Sequence, residues 1–160
     1  MQYKTIETQV SVYQFSELEK EQQLLINKAK EQVKKAYAPY SEFHVGAAVL
    51  LENGEIFAGS NQENSAYPSG LCAERVAMFY ANAQYPEVPV KSIAIAAFTN
   101  GEFIKEPITP CGSCRQVLLE SEMRFEKDIS ILLFGSETIY LVKNVRQLLP
   151  LCFEKSSLKK

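Results

Sequence analysis

The sequence predicts an α/β protein: a three-layer α/β/α sandwich built on a mixed five-stranded sheet. Three observations carry this expectation. Apolar periodicity alternates between helical and extended along the chain, in the order α-β-β-α-β-α-β-β-α. Two strand–helix–strand passages imply parallel neighbours joined by right-handed crossovers. Two tight turns, at Asn53-Gly54 and Gly135-Ser136, demand antiparallel hairpins. A sheet fed by both kinds of connection is mixed, with helices on both faces.

The elements follow in order. Residues 1–15 form an N-terminal arm. Ser16 and Glu19 then make an S-x-x-E capping box, and Leu18, Leu25, Ala29, Val33 and Ala36 recur at helical spacing until Pro39 ends the run. "HVGAAVLL" and "EIFAGS" flank Asn53-Gly54 as the first hairpin. Residues 61–71 are polar and turn-rich, and lead into a helix from about Cys72 to Gln84. "VKSIAIAAF" is a strand; a proline-containing loop follows, then a helix from about Cys111 to Met123. "DISILLFG" turns at Gly135-Ser136 into "ETIYLV". A short helix near "VRQLLP" and a polar tail, 154–160, close a single domain spanning 1–160. Both cysteine-bearing helices follow strands of one direction, so both should begin at the same sheet edge.

Bulk composition narrows the function classes. With 160 residues, 46% hydrophobic and 22% charged, the chain can bury a full core. A net charge of −2, with basic residues clustered only at "VKK" and the terminal "KK", shows no footprint for a nucleic-acid backbone. No apolar run approaches the ~18–20 residues of a membrane span, and the first fifteen residues lack a secretory pattern. Four cysteines in such a chain suggest metal or chemistry more than disulfides, and a cytoplasmic location.

Three of those thiols carry the chemistry. Cys111 and Cys114 have the C-x-x-C spacing that lets two sulfurs of one helical turn converge on zinc, and Cys72 starts the neighbouring helix. Three protein ligands without a fourth describe an open site. His44, the single imidazole, sits at a strand start, poorly placed to join. Helix N-termini favour thiolates, and Arg75 can offset the charge of three sulfurs on one divalent ion. Glu74, two residues from Cys72, is a proton carrier that coordination does not require. A lone C-x-x-C fits a redox pair or structural zinc equally; its company with Cys-x-Glu at a second helix start is what favours an open zinc site. Cys152, in "LPLCFE", reads as a filler thiol.

The blocks "AYAPYSEFHVGAAVL", "GSNQENSAYPSGLCAER", "TPCGSCRQVL" and "LLPLCF" together resemble the cytidine deaminase family, in its small homotetrameric zinc-dependent class. The resemblance runs from about Ala36 to Phe153. It implies a cytidine deaminase-like fold and one zinc ion per chain on Cys72, Cys111 and Cys114. Glu74 would be the proton shuttle and Arg75 the donor to the thiolates. By the same resemblance Asn61 and Glu63 would hold the ribose 3′-hydroxyl, Phe43 would contact the pyrimidine, and Phe153 would reach a neighbouring subunit's site. Without it, Phe43 and Phe153 read as core or interface aromatics, and Asn61 as a turn residue. Two departures stand out: His44, where the family often has proline, and the stretch "EVPVKSIAIAAFTNGEFIKEP".

The implied activity is hydrolytic deamination of cytidine and 2′-deoxycytidine to uridine and 2′-deoxyuridine, an enzyme of pyrimidine salvage. The partners are then a small pyrimidine nucleoside and three further copies of the chain, with no nucleic acid and no membrane. Two alternatives remain at this level. One is deamination of another cytosine nucleoside such as blasticidin S. The other is a non-catalytic oligomer in which zinc only pins two helices, and Glu74 distinguishes it, since a structural site has no use for that carboxylate.

Overall fold

In a computed structural model, residues 1–158 are described. Their strands are β1 (Ser11–Tyr13), β2 (His44–Leu51), β3 (Ile56–Ser60), β4 (Val90–Thr99), β5 (Glu102–Phe103), β6 (Ser130–Phe134) and β7 (Ile139–Val142). The helices are α1 (Lys20–Gln32), α2 (Ala73–Gln84) and α3 (Gly112–Phe125). The sheet order is β1-β7-β6-β4-β2-β3, with β5 bonded to β4. The expected five strands are present; two short ones, β1 and β5, make seven. β1 comes from the predicted arm, which pairs antiparallel with β7 through Ser11, Val12 and Tyr13.

Strand alternation divides the core. Val45, Ala47 and Val49 of β2, with Ile93 and Ile95 of β4 and Ile131 and Leu133 of β6, pack beneath α2 and α3. The intervening residues Ala48, Leu50, Ala94, Ala96, Leu132 and Phe134 pack beneath Leu25, Ile26 and Ala29 of α1. The three layers are therefore α1, sheet, and α2 with α3. No described helix is long and apolar enough to cross a membrane.

Several local expectations are corrected. The α1 cap is Glu19, whose backbone N–H donates to Gln22 Oε1 at 3.0 Å; Ser16 lies in a preceding 3-10 turn, Phe15–Glu17. Leu18 and Glu19 are extended, so the box forms three residues later than the sequence signal placed it. The α1 helix ends at Gln32, with a 3-10 turn at Val33–Lys35, because Ala36 is extended; Pro39 has no helix to stop. Only one crossover joins parallel neighbours, β4 and β6. β3 and β4 share a direction, but β2 lies between them and is antiparallel to both. The short helix near "VRQLLP" is a 3-10 turn, Val145–Gln147. Of the polar tail 154–160, residues 159 and 160 lie outside the described residues.

What positions the site is the seating of α2 and α3. At Gly59 a Cβ would sit 2.8 Å from the backbone nitrogen of Ala77, so the absence of a side chain lets α2 lie directly on β3. The far end of α3 is held by Glu122, whose Oε1 accepts from the backbone N–H of Ile129 and of Val145, each at 2.9 Å. Both helices then point their N-termini at one edge of the sheet.

Candidate active site

Cys72 is the N-cap of α2 and Cys111 the N-cap of α3, both in extended conformation. Neither side chain caps its own helix, which leaves both sulfurs free to face each other. Cys72 Sγ lies 3.8 Å from Cys111 Sγ, and Cys111 Sγ lies 3.5 Å from Cys114 Sγ. All three sulfurs fall within 4.8 Å of one another. A tetrahedral zinc ion with sulfur at about 2.3 Å places its ligands about 3.8 Å apart. The cluster fits such an ion. Among the described residues no imidazole or carboxylate joins the group, so the fourth corner is open.

The electrostatics suit a thiolate centre. Hydrogen bonding with Cys114, then with Arg75 and Cys111, holds the Cys72 thiol down at about 5 against the opposing effect of burial. The same sharing with Cys72, together with burial, pushes the Cys114 thiol up. Arg75 Nη2 lies 3.9 Å from Cys72 Sγ, and its buried Nε has no partner, so a donor remains for a sulfur made more negative.

Glu74 is buried, 4% exposed, and desolvation raises its carboxyl above the usual range, with the Cys72 charge adding to the effect. No ion pair neutralises it among the described residues. A carboxyl raised in this way is suited to taking a proton and returning it.

A cavity of about 450 Å³ opens from Cys72 and Arg75 past Leu71 and Tyr67 to Asn61 and Glu63. Glu63 is fixed at its far end: Oε2 accepts from the backbone N–H of Tyr40 at 2.9 Å and of Ser41 at 3.3 Å, and Oε1 accepts from the Ser41 hydroxyl. The Ser41 and Tyr40 contacts hold its carboxyl below the usual value. Asn61 clamps the start of β2, donating from Nδ2 to the Phe43 carbonyl at 2.9 Å and accepting from the Val45 N–H at 2.8 Å. Each of its polar atoms keeps one further bonding position.

The structure thus brings Cys72, Cys111, Cys114, Glu74 and Arg75 together, with Asn61 and Glu63 across one cavity. It does not place Phe43 or Phe153 on the lining. Phe43 packs half-buried against the core. Phe153 is 60% exposed, and its carbonyl accepts from Gln116 Nε2 at 3.0 Å. His44 lies on the other sheet face, and Cys152 lies outside the thiol cluster, packed against the core as the filler thiol the sequence suggests while donating to Glu154 at 3.0 Å.

Sequence reasoning missed two supporting residues. Ser41 anchors Glu63, and only the turn after Pro39 hinted at that loop. Arg115 holds the approach to Cys111: Nε donates to the Pro110 carbonyl at 2.8 Å, Nη2 to Thr109 Oγ1 at 2.9 Å, and Nη1 to the Leu148 carbonyl at 2.6 Å. A cation one residue past a ligand was its only signal.

Comparison with known proteins agrees with this geometry. Residues 19–126 match the cytidine and deoxycytidylate deaminase zinc-binding region. The cytidine deaminase of Sporosarcina psychrophila is 39% identical over 142 residues, covering 84% of this chain and 92% of that protein. The crystal structure of cytidine deaminase from Burkholderia pseudomallei superposes with a TM-score of 0.69 at 38% identity, over 81% of this chain and 97% of the other. That of Mycobacterium tuberculosis gives 0.65 at 30% identity, over 82% and 95%.

Proposed function

The chain belongs to the cytidine and deoxycytidylate deaminase family, and from that membership we propose a hydrolase that converts cytidine and 2′-deoxycytidine to the uridines. Water adds at pyrimidine C4 and the exocyclic amine leaves as ammonia. The observation that carries the reading is a buried carboxyl, Glu74, beside three convergent thiols whose fourth corner is open. A zinc ion that serves only to pin two helices gains nothing from that carboxyl, and burying it unpaired costs on the order of several kcal/mol.

Cys72, Cys111 and Cys114 hold the zinc ion. When bound, zinc supplies Lewis acidity that makes water a usable nucleophile near neutral pH. Glu74 takes the proton released, delivers it to pyrimidine N3, and assists loss of the amine. Arg75 donates to the thiolates and limits their charge. Asn61 and Glu63 receive the ribose 3′-hydroxyl at the far end of the cavity, which fixes the distance from sugar to reacting carbon. A 3′-phosphodiester would place negative charge against Glu63 and remove the donor it requires, so nucleic acids are excluded.

We further assign the protein to a homotetramer with shared sites. Leu151 and Phe153 are 80% and 60% exposed, as are the α2 aromatics Phe79 and Tyr80 at 47% and 52%, a surface suited to burial by other copies. A neighbour's Phe153 would then close over the pyrimidine, and Phe43 would reach it only by turning out from its half-buried place against the core. A cytoplasmic role in pyrimidine salvage suits four free cysteines, three of which must stay reduced. The test is zinc content together with the fall in ultraviolet absorbance on incubation with cytidine. Stoichiometric zinc without turnover would leave only the structural reading.

A further inference from the structure

On the sheet face away from the thiols lies a second cavity, about 240 Å³ in volume, lined by Lys30, Val33, Lys34, His44, Phe98 and Phe103. Its lining runs against the protein's net charge of −2: three basic side chains face it and no carboxylate does. Lys30 lays its ammonium over the rings of Phe134, Phe103 and Phe15, with centroids at 4.6, 5.1 and 5.9 Å. Among the described residues neither Lys30 nor Lys34 makes an ion pair; nearby Glu31 is taken by Lys28 at 3.3 Å. Phe98 stands opposite His44 in the β2–β4 register and meets Phe103 edge-to-face at 5.3 Å. The two departures from the family pattern, His44 and the stretch carrying Phe98 and Phe103, meet in this one hollow.

Aromatic walls beside unpaired cations call for a ligand that is flat at one end and anionic at the other. We propose that this cavity binds a small aromatic phosphate ester, its ring against Phe98 and Phe103 and its phosphate taken by Lys30, Lys34 and His44. A bare phosphate would leave the rings unused, and a neutral ring would leave the ammonium groups unneutralised. No carboxylate, thiol or hydroxyl lines the hollow, and it is assigned as a binding site alone. The site stands independently of the deaminase reading, because its ligand approaches from the opposite side of the sheet.

The single imidazole makes the test direct. Titration of zinc-loaded protein with phenyl phosphate, followed through the His44 ring resonances, should give a saturable shift at sub-millimolar concentration. Inorganic phosphate and phenol should each bind at least about tenfold more weakly. Lys34→Gln, at an exposed position that leaves the core intact, should weaken phenyl phosphate about tenfold while zinc content and cytidine turnover stay unchanged. No shift by about 10 mM, equal binding of inorganic phosphate, or undiminished affinity in Lys34→Gln would each overturn the proposal.

Discussion

The Ser41 hydroxyl donates to Glu63 Oε1 at 2.5 Å, while the backbone N–H groups of Tyr40 and Ser41 hold the other oxygen. The carboxylate at the end of the cavity away from Cys72 is therefore set before any ligand arrives. These contacts favour its ionised form and lower its pKa from the ordinary 4.5. Their contribution to stability is present above that ordinary value and is lost as pH falls through the lowered folded value. Glu63→Gln should raise KM for cytidine about tenfold or more with zinc content unchanged. Ser41→Ala should move the acid limb of the KM profile to higher pH. An unaltered profile in Ser41→Ala would remove the hydroxyl from substrate positioning.

Cys114 is buried, whereas Cys111 is exposed. Cys114→Ser, which keeps the volume, should still lose the metal and lower Tm by several degrees, since thiolate–zinc bonds tie α2 to α3. Metal analysis and calorimetry on the same sample decide it. Full zinc occupancy in that variant would contradict the three-sulfur site.

Glu74→Gln should separate binding from chemistry. Zinc and a pyrimidine nucleoside should both still bind, while kcat falls by roughly a hundredfold to ten-thousandfold. A variant keeping more than about a tenth of the wild-type rate would take Glu74 out of the mechanism.

These residues show where the sequence was legible. C-x-x-C and Cys-x-Glu at two helix starts were enough to anticipate the sulfur cluster, because a helix N-cap fixes where its side chain points. The Asn53-Gly54 turn signal beside the apolar run "HVGAAVLL" was enough to place β2 at its full extent, His44–Leu51. The Glu19 cap escaped because S-x-x-E and E-x-x-Q compete within four residues, and the extended backbone at Leu18 decides between them. β1 escaped because its three residues pair only with β7, more than a hundred residues away. Ser41 acts on a carboxylate 22 residues away and Arg115 mainly on the carbonyls of Pro110 and Leu148, and neither kind of partnership leaves a local pattern in a sequence.

If Phe153 completes a neighbour's site, inactive subunits should rescue one another. Mixing Glu74→Gln with Phe153→Ala protein under conditions that exchange subunits should restore activity, since some sites pair an intact Glu74 with a partner's intact Phe153. The protein should also scatter light as a tetramer at micromolar concentration. A fully active monomer would overturn the shared site.

Arg115 spans the loop before Cys111 and the chain before Phe153 through Pro110 and Leu148. Arg115→Lys cannot make both contacts with one ammonium. It should weaken zinc retention against a chelator and raise KM, with kcat of the zinc-loaded enzyme changed less. Equal loss in kcat and in zinc-saturated kcat/KM, with retention unchanged, would assign Arg115 to the chemistry instead of to positioning.

The two sulfurs that meet at 3.8 Å, on Cys72 and Cys111, lie 39 residues apart in the chain, with all of β4 between them. An extended chain meets zinc with only the Cys111–Cys114 pair, a bidentate grip. The third sulfur arrives when β4 has entered the sheet beside β2 and closed that long loop. An ion held by all three sulfurs therefore stabilises only chains in which that loop has closed, and its binding reports on the winding of the sheet as well as on the site.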